Sequence, residues 1–410
     1  MSAGALFITY DGLLDPLGGS QILPYLYGIA GHTRSLHIVS FEKPERFANG
    51  AEKMYAELEL AGIGWSPLSF TRRFGKLGKA WDLLRMYVTA LRLQIRHRFD
   101  VIHCRSYQAM QVGCFLRGLT GAYTIFDMRG LWVDERVDGG LWPQDRRLNR
   151  LTYRTYKRIE RGLLECASHV VVLTDSVVPE LRRLSPGMKA PVTVIPCCAD
   201  FDHFVLPNDA EQKAVREDLG IPADSLVLSY LGSLGTWYML EEMLQLFATT
   251  ARQRDDVHML FITRDWGKGQ ETLLKTMGLE HLRNKIHVRP ANREQVPVLL
   301  GGADIMLSFI KPAYSKMASS PTKLAEAFAL GIPTISNVGV GDVDQITRDL
   351  DAGTVINLSD PNAFEKLVGE LENIRAKGGP GLRARARGRF GLEVAKQTYR
   401  EVYAVLDGTP

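Results

Sequence analysis

Short, wholly apolar runs alternating with amphipathic helical stretches predict an α/β protein built from two domains, each a parallel sheet between helices. Three observations carry that reading. In the first half the runs ALFITY, SLHIVSF, GWSPLSF, DVIHCRS, YTIFDMR and VVVLTDS are mostly apolar residue after residue, the pattern of strands covered on both faces. After residue 200 the series restarts with LVLSYLG, HMLFITRD, KIHVRP and DIMLSFI. A chain of 410 residues is also too long for one ordinary domain, and suits two of about 200 residues each.

Taken in order, ALFITY opens the first sheet. The loop DGLLDPL and the turn Gly18-Gly19-Ser20-Gln21 follow it and precede an apolar helix from Gln21 to Gly31. Further helices are expected over Ala51 to Ala61 and Trp81 to Arg98. Ligands of such sheets sit at the carboxyl ends of strands, so the residues just past each strand are the candidates. Glycine lets backbone N–H groups approach a charged ligand closely, which singles out Gly18 and Gly19. Arg105 and Ser106 end DVIHC, where His103 reads as strand packing and not as a base. Asp127 and Arg129 end YTIF, followed by Trp132, Asp134, Glu135 and Arg136. Asp127 could orient a hydroxyl and Arg129 could neutralise phosphate, or the two could form a structural ion pair.

The segment VTVIPCCADFDHF, residues 192–204, closes the half, so the domains are drawn as 1–203 and 204–389, with a C-terminal helical segment 390–410. In the second half Gly232-Ser233-Leu234-Gly235-Thr236 is the turn matching Gly18-Gly19.

The most informative stretch is SSPTKLAEAFALGIPTISN, from Ser319 to Asn337. It reads as a loop, a short helix, a Gly-Pro turn and a buried strand. Pro321 suits the first helical turn, Ser319 and Ser320 suit the N-cap, and Gly331 suits the left-handed residue that ends the helix. The helix start offers N–H groups and a positive dipole end to a phosphate, over Ser320, Thr322, Lys323 and Leu324. Glu326, one turn in, is placed to accept hydrogen bonds from a ribose diol.

With 45% hydrophobic and 23% charged residues the chain reads as a soluble globular protein. No window approaches the roughly 20 apolar residues of a membrane span, and MSAGALFITYDG has no basic region or cleavage site. Five cysteines, Cys104, Cys114, Cys166, Cys197 and Cys198, form a scattered odd set without metal-ligand spacing, and a reduced, cytoplasmic setting is expected. Residues 1–199 hold 26 Lys+Arg against 18 Asp+Glu, while residues 200–410 hold 24 against 28. The excess concentrates in two stretches of helical spacing. One runs over 72–98, with Arg72, Arg73, Lys76, Lys79, Arg85, Arg92, Arg96 and Arg98 around Trp81, Leu84, Tyr87, Val88 and Leu91. The other runs from Arg146 to Arg161. Each is either a solvated helix face or a contact with an anionic membrane surface, on the inner face of the plasma membrane. No nucleic-acid partner is expected.

The segment around Glu326, Ala329, Gly331, Ile332 and Pro333 resembles the donor-site motif of retaining GT-B glycosyltransferases of family 4, and residues 192–204 resemble the linker strand of those enzymes. The resemblance implies two Rossmann-like domains facing across a cleft, with the C-terminal helix crossing back to the first domain. It implies a retaining transferase that moves a sugar from a nucleoside diphosphate sugar to a glycan or lipid-linked acceptor in surface polysaccharide synthesis. A metal ion is not expected, and Asp342-Val343-Asp344 reads as a turn and helix cap. Donor-binding positions would be Gly18, Gly19, Gly232, Ser233, Thr236, Arg264, Arg289, Ser320, Thr322, Lys323, Leu324 and Glu326. The transfer step would rest on Asp127, Arg129, Gly19 and Lys323. Two departures stand out. The Arg and Lys that usually clamp the diphosphate are missing near Ser233, leaving Arg264, Lys323 and Arg289 as the candidate cations. The first Glu of the E-x7-E pattern is Ala318, so the donor sugar is met by backbone groups or carries its own carboxylate, toward Lys311 and Lys316. A sugar epimerase or phosphorylase, or a degenerate binding subunit, stands as the alternative.

Overall fold

The computed structural model describes residues 3–71 and 75–404. The chain divides into two compact units, one running to Pro196 and resuming at Leu392, the other spanning Cys197–Gly391. Residues 197–203 thus belong with the second unit, and Leu392 onward with the first.

The first unit holds β1 (Gly4–Thr9), β2 (Ser35–Glu42), β3 (Ile63–Ser69), β4 (Val101–Arg105), β5 (Tyr123–Asp127), β6 (His169–Val172) and β7 (Val192–Val194). They form one sheet in the order β3-β2-β1-β4-β5-β6-β7, with every pairing parallel. Phe7 sits between Ile38 and His103, and every residue of β1 and β4 is buried. Pro67 is tolerated because β3 is an edge strand that need not donate on its outer side. Strand order reverses between β1 and β4, the place where sheets of this kind bind ligands.

The second unit holds β8 (Leu226–Leu231), β9 (Val257–Ile262), β10 (Ile286–Arg289), β11 (Ile305–Ser308), β12 (Thr334–Asn337) and β13 (Gly353–Ile356). Their order is β10-β9-β8-β11-β12-β13, again parallel, with the reversal between β8 and β11. Alternate strand residues feed two cores. Val227, Leu260, Ile262 and Met306 pack with Leu324, Ala325 and Phe328 of the helix Thr322–Ala329. Leu226, Leu228, Met259 and Phe261 pack with Met243, Leu244 and Phe247 of the helix Leu240–Gln253.

Several helix boundaries differ from the sequence expectation. Gly18 and Gly19 lie inside a short helix, Pro16–Gln21, and not in a loop before one. The expected helix at Ala51 begins at Pro44 and the one at Trp81 begins at Gly75. In two of these three cases proline occupies the first helical position, where its missing N–H and fixed φ favour a start. In the stretch Ser319 to Asn337, Pro321 is itself the N-cap, without a side-chain cap, and Ser320 Oγ instead accepts from the Cys197 N–H at 3.1 Å. Gly331 does take the left-handed conformation, φ 68°, and a Cβ there would stand 2.7 Å from the Gly379 carbonyl oxygen. Asp342 is the N-cap residue of the helix Val343–Asp349.

The cysteine reading needs correction. Cys114 and Cys166 form a disulfide between the helices Ser106–Thr120 and Arg147–Cys166, with Cα atoms 6.0 Å apart. They are separated by 52 residues, and only the packing of two helices brings them together. Cys104, Cys197 and Cys198 are buried.

The C-terminal helix, Leu392–Ala404, is part of the first unit. Gly28 makes room for it: a Cβ there would stand 2.4 Å from Lys396 Cγ, and Arg400 Nε donates to the Gly28 carbonyl at 2.8 Å. Among the described residues no helix is long and apolar enough to cross a membrane.

Candidate functional site

Lys323 and Glu326 are the two strongly shifted titratable groups of the helix Thr322–Ala329. Lys323 lies in the first turn of the helix Thr322–Ala329 and is only 8% exposed. Its Nζ donates to Tyr230 Oη at 3.0 Å and lies 4.1 and 4.0 Å from the ring centres of Tyr230 and Tyr238. Burial pulls its pKa down to about 7, against the opposing pull of the Glu326 carboxylate. Burial pushes Glu326 up to about 7, countered by Arg293 and then Lys323. A cation and an anion near neutrality therefore share one helix turn at the crevice where strand order reverses.

Gly232 closes the other side. It follows β8 with φ 122°, which only glycine adopts freely, and a Cβ there would sit 3.4 Å from Lys323 Nζ. Tyr230 Oη donates to the Ser233 carbonyl at 2.5 Å, and the Leu234 N–H donates to Asp265 at 3.0 Å. The side chains of Ser233 and Thr236 are exposed. Asn337 holds the loop after β11 by exchanging both of its amide bonds with the Ile310 backbone, at 2.8 and 2.9 Å. Ala318 is buried, and Lys316 packs its Nζ 3.8 Å from the Trp237 ring centre, while Lys311 is exposed.

Gly232, Lys323 and Glu326 are thus brought together, with Ser320, Thr322 and Leu324 at the same helix start. Arg264 and Arg289 are tied to backbone carbonyls, those of Ala291 at 2.8 Å and Val288 at 3.1 Å. Sequence reasoning missed Tyr230, Tyr238 and Arg293. Tyr230 stands two residues before Gly232, and Arg293 follows the end of β10, so proximity to strand ends was the available signal.

In the first unit Asp127 ends β5 as a buried hub, 2% exposed. Arg129 lies at 3.4 Å, Arg105 at 3.5 Å and His103 at 3.7 Å, and Tyr399 Oη donates to it at 3.3 Å. Burial alone would raise its pKa, but Arg129, His103 and Arg105 together hold it well below the usual carboxylate range. Arg105 also reaches Asp11 past the end of β1, at 3.2 Å. His103 is buried, with Nδ1 2.9 Å from Tyr403 Oη. Gly18 is required sterically, since a Cβ would lie 2.2 Å from the Leu13 carbonyl, whereas Gly19 faces open space. The loop before them spends its amides on Glu42: Leu13 and Leu14 N–H donate to that carboxylate at 2.8 and 3.2 Å, and Gly19 N–H goes to Asp15 within the helix.

No group of three or more His, Cys, Asp or Glu side chains among the described residues is arranged to hold a metal ion.

Comparison with known proteins identifies the family and the fold. Residues 47–198 match the family described as glycosyl transferase 4-like domain, and residues 211–387 match glycosyl transferases group 1. The chain is 24% identical over 292 residues to D-inositol 3-phosphate glycosyltransferase 2 of Catenulispora acidiphila, covering 68% of this chain and 65% of that one. It is 21% identical over 337 residues to D-inositol 3-phosphate glycosyltransferase of Corynebacterium urealyticum, covering 78% and 70%. The matches therefore span about two thirds of the length of these curated relatives. Among solved structures, sucrose-phosphate synthase from Thermosynechococcus elongatus superposes with a TM-score of 0.68 at 17% identity, covering 99% of each chain. HepE of Anabaena, solved in complex with UDP, superposes at 0.69 and 14% identity, covering 98% of this chain and 100% of its own. Both halves of the chain and both sheets lead to one conclusion: it belongs to the GT-B glycosyltransferases of family 4, group 1.

Proposed function

We propose that the protein is a retaining glycosyltransferase that takes a sugar from a nucleoside diphosphate sugar and places it on a hydroxyl of a glycan or lipid-linked acceptor in surface polysaccharide synthesis. The single observation that carries the donor reading is Lys323 beside Gly232, one helix turn from Glu326. The Lys323 ammonium and the N–H groups of the helix start neutralise the diphosphate, and Glu326 accepts from the ribose diol. The UDP bound by HepE supports this class of donor. In the transfer, the bond from the anomeric carbon to the diphosphate oxygen breaks. A bond to the acceptor oxygen forms on the same face, and the departing diphosphate takes the acceptor's proton. The protein supplies position and charge stabilisation, and no side chain has to act as a strong nucleophile. Asp127, held ionised among cations, orients groups rather than taking a proton, and Arg129 serves as an electrostatic partner for phosphate.

Lys316 lies against Trp237, which favours donor-sugar recognition by backbone groups over recognition of a sugar carboxylate.

A lipid-linked acceptor is supported by the helix Gly75–His97. Leu77, Trp81, Leu84, Val88 and Ile95 are exposed along one stripe of it, with Leu77 75% and Ile95 70% exposed. Arg92 and Arg96 are exposed beside them. Monomeric soluble proteins rarely leave so long an apolar stripe open, and a helix of this kind lies in an anionic membrane surface. Arg85 takes no part, since it binds Asp82 and the Ser69 carbonyl; Arg72, Arg73 and the Lys76 side chain lie outside the described residues.

The test is a thermal-shift panel of UDP, GDP, ADP, TDP and CMP with their sugar conjugates, followed by transfer assays on lipid-linked acceptors. Stabilisation by one nucleotide family, of about 2.7 kcal/mol at a hundredfold excess over Kd, is expected. Silence across the whole panel would overturn the donor reading.

A further inference from the structure

The amino-terminal edge of the first sheet, the end opposite Asp11, Arg105 and Asp127, carries a groove of about 1050 Å³. Its walls are the last turns of the helices Gly75–His97 and Ser106–Thr120, and its floor is the chain entering β4 to β7. Three cations line it, Arg98, Arg117 and Lys189, against one carboxylate, Asp100. That carboxylate is already engaged by Arg34 at 3.0 Å and by the Gly4 N–H at 2.8 Å.

The lining is built, and is not a chance gap between loops. Gln94 is buried and clamps the turn that follows its helix, donating to the Phe99 carbonyl and accepting from the Phe99 N–H, both at 3.1 Å. Inside that clamp Arg98 takes a left-handed φ of 50°, a conformation that residues with a side chain seldom adopt. Arg117 is pinned by Thr124 Oγ1 at 3.3 Å and by Ser168 Oγ, which fixes its guanidinium in the floor. Leu91 and Ile95 form the apolar part of the rim, and Ile95 is also the last member of the exposed stripe. The cationic groove and the apolar stripe are therefore one continuous surface.

We infer that this groove receives the phosphate headgroup of an anionic lipid whose hydrocarbon part lies along the stripe of the helix Gly75–His97. The inference rests on the membrane reading above and deepens it. Excess positive charge suits a phosphate, and the adjoining Leu91 and Ile95 offer contact only to a phosphate that carries an apolar tail. The groove is on the opposite sheet edge from the strand ends that serve the reaction, so it binds the surface rather than the reacting groups.

The experiment compares three forms of the full chain by co-sedimentation with phosphatidylcholine vesicles, with and without phosphatidylglycerol. The forms are wild type, Arg98→Gln with Lys189→Gln, and Leu84→Glu with Val88→Glu. Nucleotide-induced thermal stabilisation is read in parallel to show that each variant is folded. The groove variant is expected to lose about 25-fold in binding to phosphatidylglycerol vesicles, two cations each worth roughly fivefold at an anionic surface. Its weak binding to pure phosphatidylcholine should stay unchanged. Loss of binding only in the stripe variant, with the groove variant like wild type, overturns the groove and leaves the membrane reading standing. Wild type that binds neither vesicle overturns both. Soluble glycerol 1-phosphate that displaces the protein from vesicles at equal phosphate concentration would make a free phosphate the ligand and overturn the lipid assignment.

Discussion

Lys323 is placed where burial makes its charge costly. Its pKa falls from 10.5 to about 7 through burial, so between those values the unfolded chain holds the extra proton and this part of stability rises with pH. Glu326 moves from 4.5 to about 7, so the stability it lends is full below 4.5 and is lost as pH rises through 7. A diphosphate favours the ammonium, and ribose hydroxyls favour the carboxylate. Nucleoside diphosphate affinity should therefore peak near pH 7 and fall by up to about tenfold per unit on the alkaline side. Calorimetry in buffers of different ionisation enthalpy should detect proton uptake on binding above pH 7, and a pH-independent affinity would rule out Lys323 as the phosphate partner. Replacing Glu326 by Ala should weaken nucleotide binding by roughly 1.5–3 kcal/mol without unfolding the protein. Asp127 belongs to a different class. Its stability contribution is present above its ordinary 3.8 and is lost only in acid. Removing it as Asp127→Ala leaves Arg105 and Arg129 short of a partner, and should cost about 3–5 kcal/mol in a urea titration as well as activity.

At the scale of elements, the helix Thr322–Ala329 works because both of its ends are held. Leu324, Ala325 and Phe328 anchor it in the core of the second sheet, and Gly331 turns the chain sharply into β12. Gly331→Ala combines a left-handed Cβ, about 1–2 kcal/mol, with a contact 2.7 Å from the Gly379 carbonyl. The variant should lower the urea midpoint and, by shifting the helix start, reduce nucleotide affinity. Unaltered values on both counts would show that the turn does not position Lys323. The disulfide between Cys114 and Cys166 closes a 52-residue separation and should contribute about 4 kcal/mol by chain entropy. Peptide mapping without reductant should recover the linked pair, and two freely alkylated thiols in the native protein would contradict it.

Over the whole molecule, the positive excess of residues 1–199 and the exposed stripe of Gly75–His97 fall in the same unit. Binding to anionic vesicles should be lost with Leu84→Glu and Val88→Glu and should weaken with salt, as surface charge is screened over about 8–10 Å. Both sheets were legible in sequence, because most of the buried strands are runs of mainly apolar residues and each ends near a glycine or a charged residue. The helix motif with Glu326 and Gly331 was legible for the same local reason, since caps, turns and periodicity act within a few residues. Helix starts at Pro16 and Pro44 were also written locally but were outweighed by the apolar pattern that begins later. The sequence by itself therefore determined the α/β class, the strand series and the helix that presents Lys323 and Glu326. Only the tertiary structure decided which of the charged side chains are buried and what each one bonds. Arg264 and Arg289 stand beside Lys323 as candidate cations in sequence, and Arg85 in the basic stretch 72–98; in the fold backbone carbonyls engage the first two, Asp82 engages Arg85, and Tyr230 and Tyr238 enclose Lys323. Cys114 with Cys166, and Asp127 with Tyr399, are likewise pairs made by packing between distant segments. Periodicity is a property of neighbours along the chain, whereas desolvation and ion pairing depend on neighbours in space.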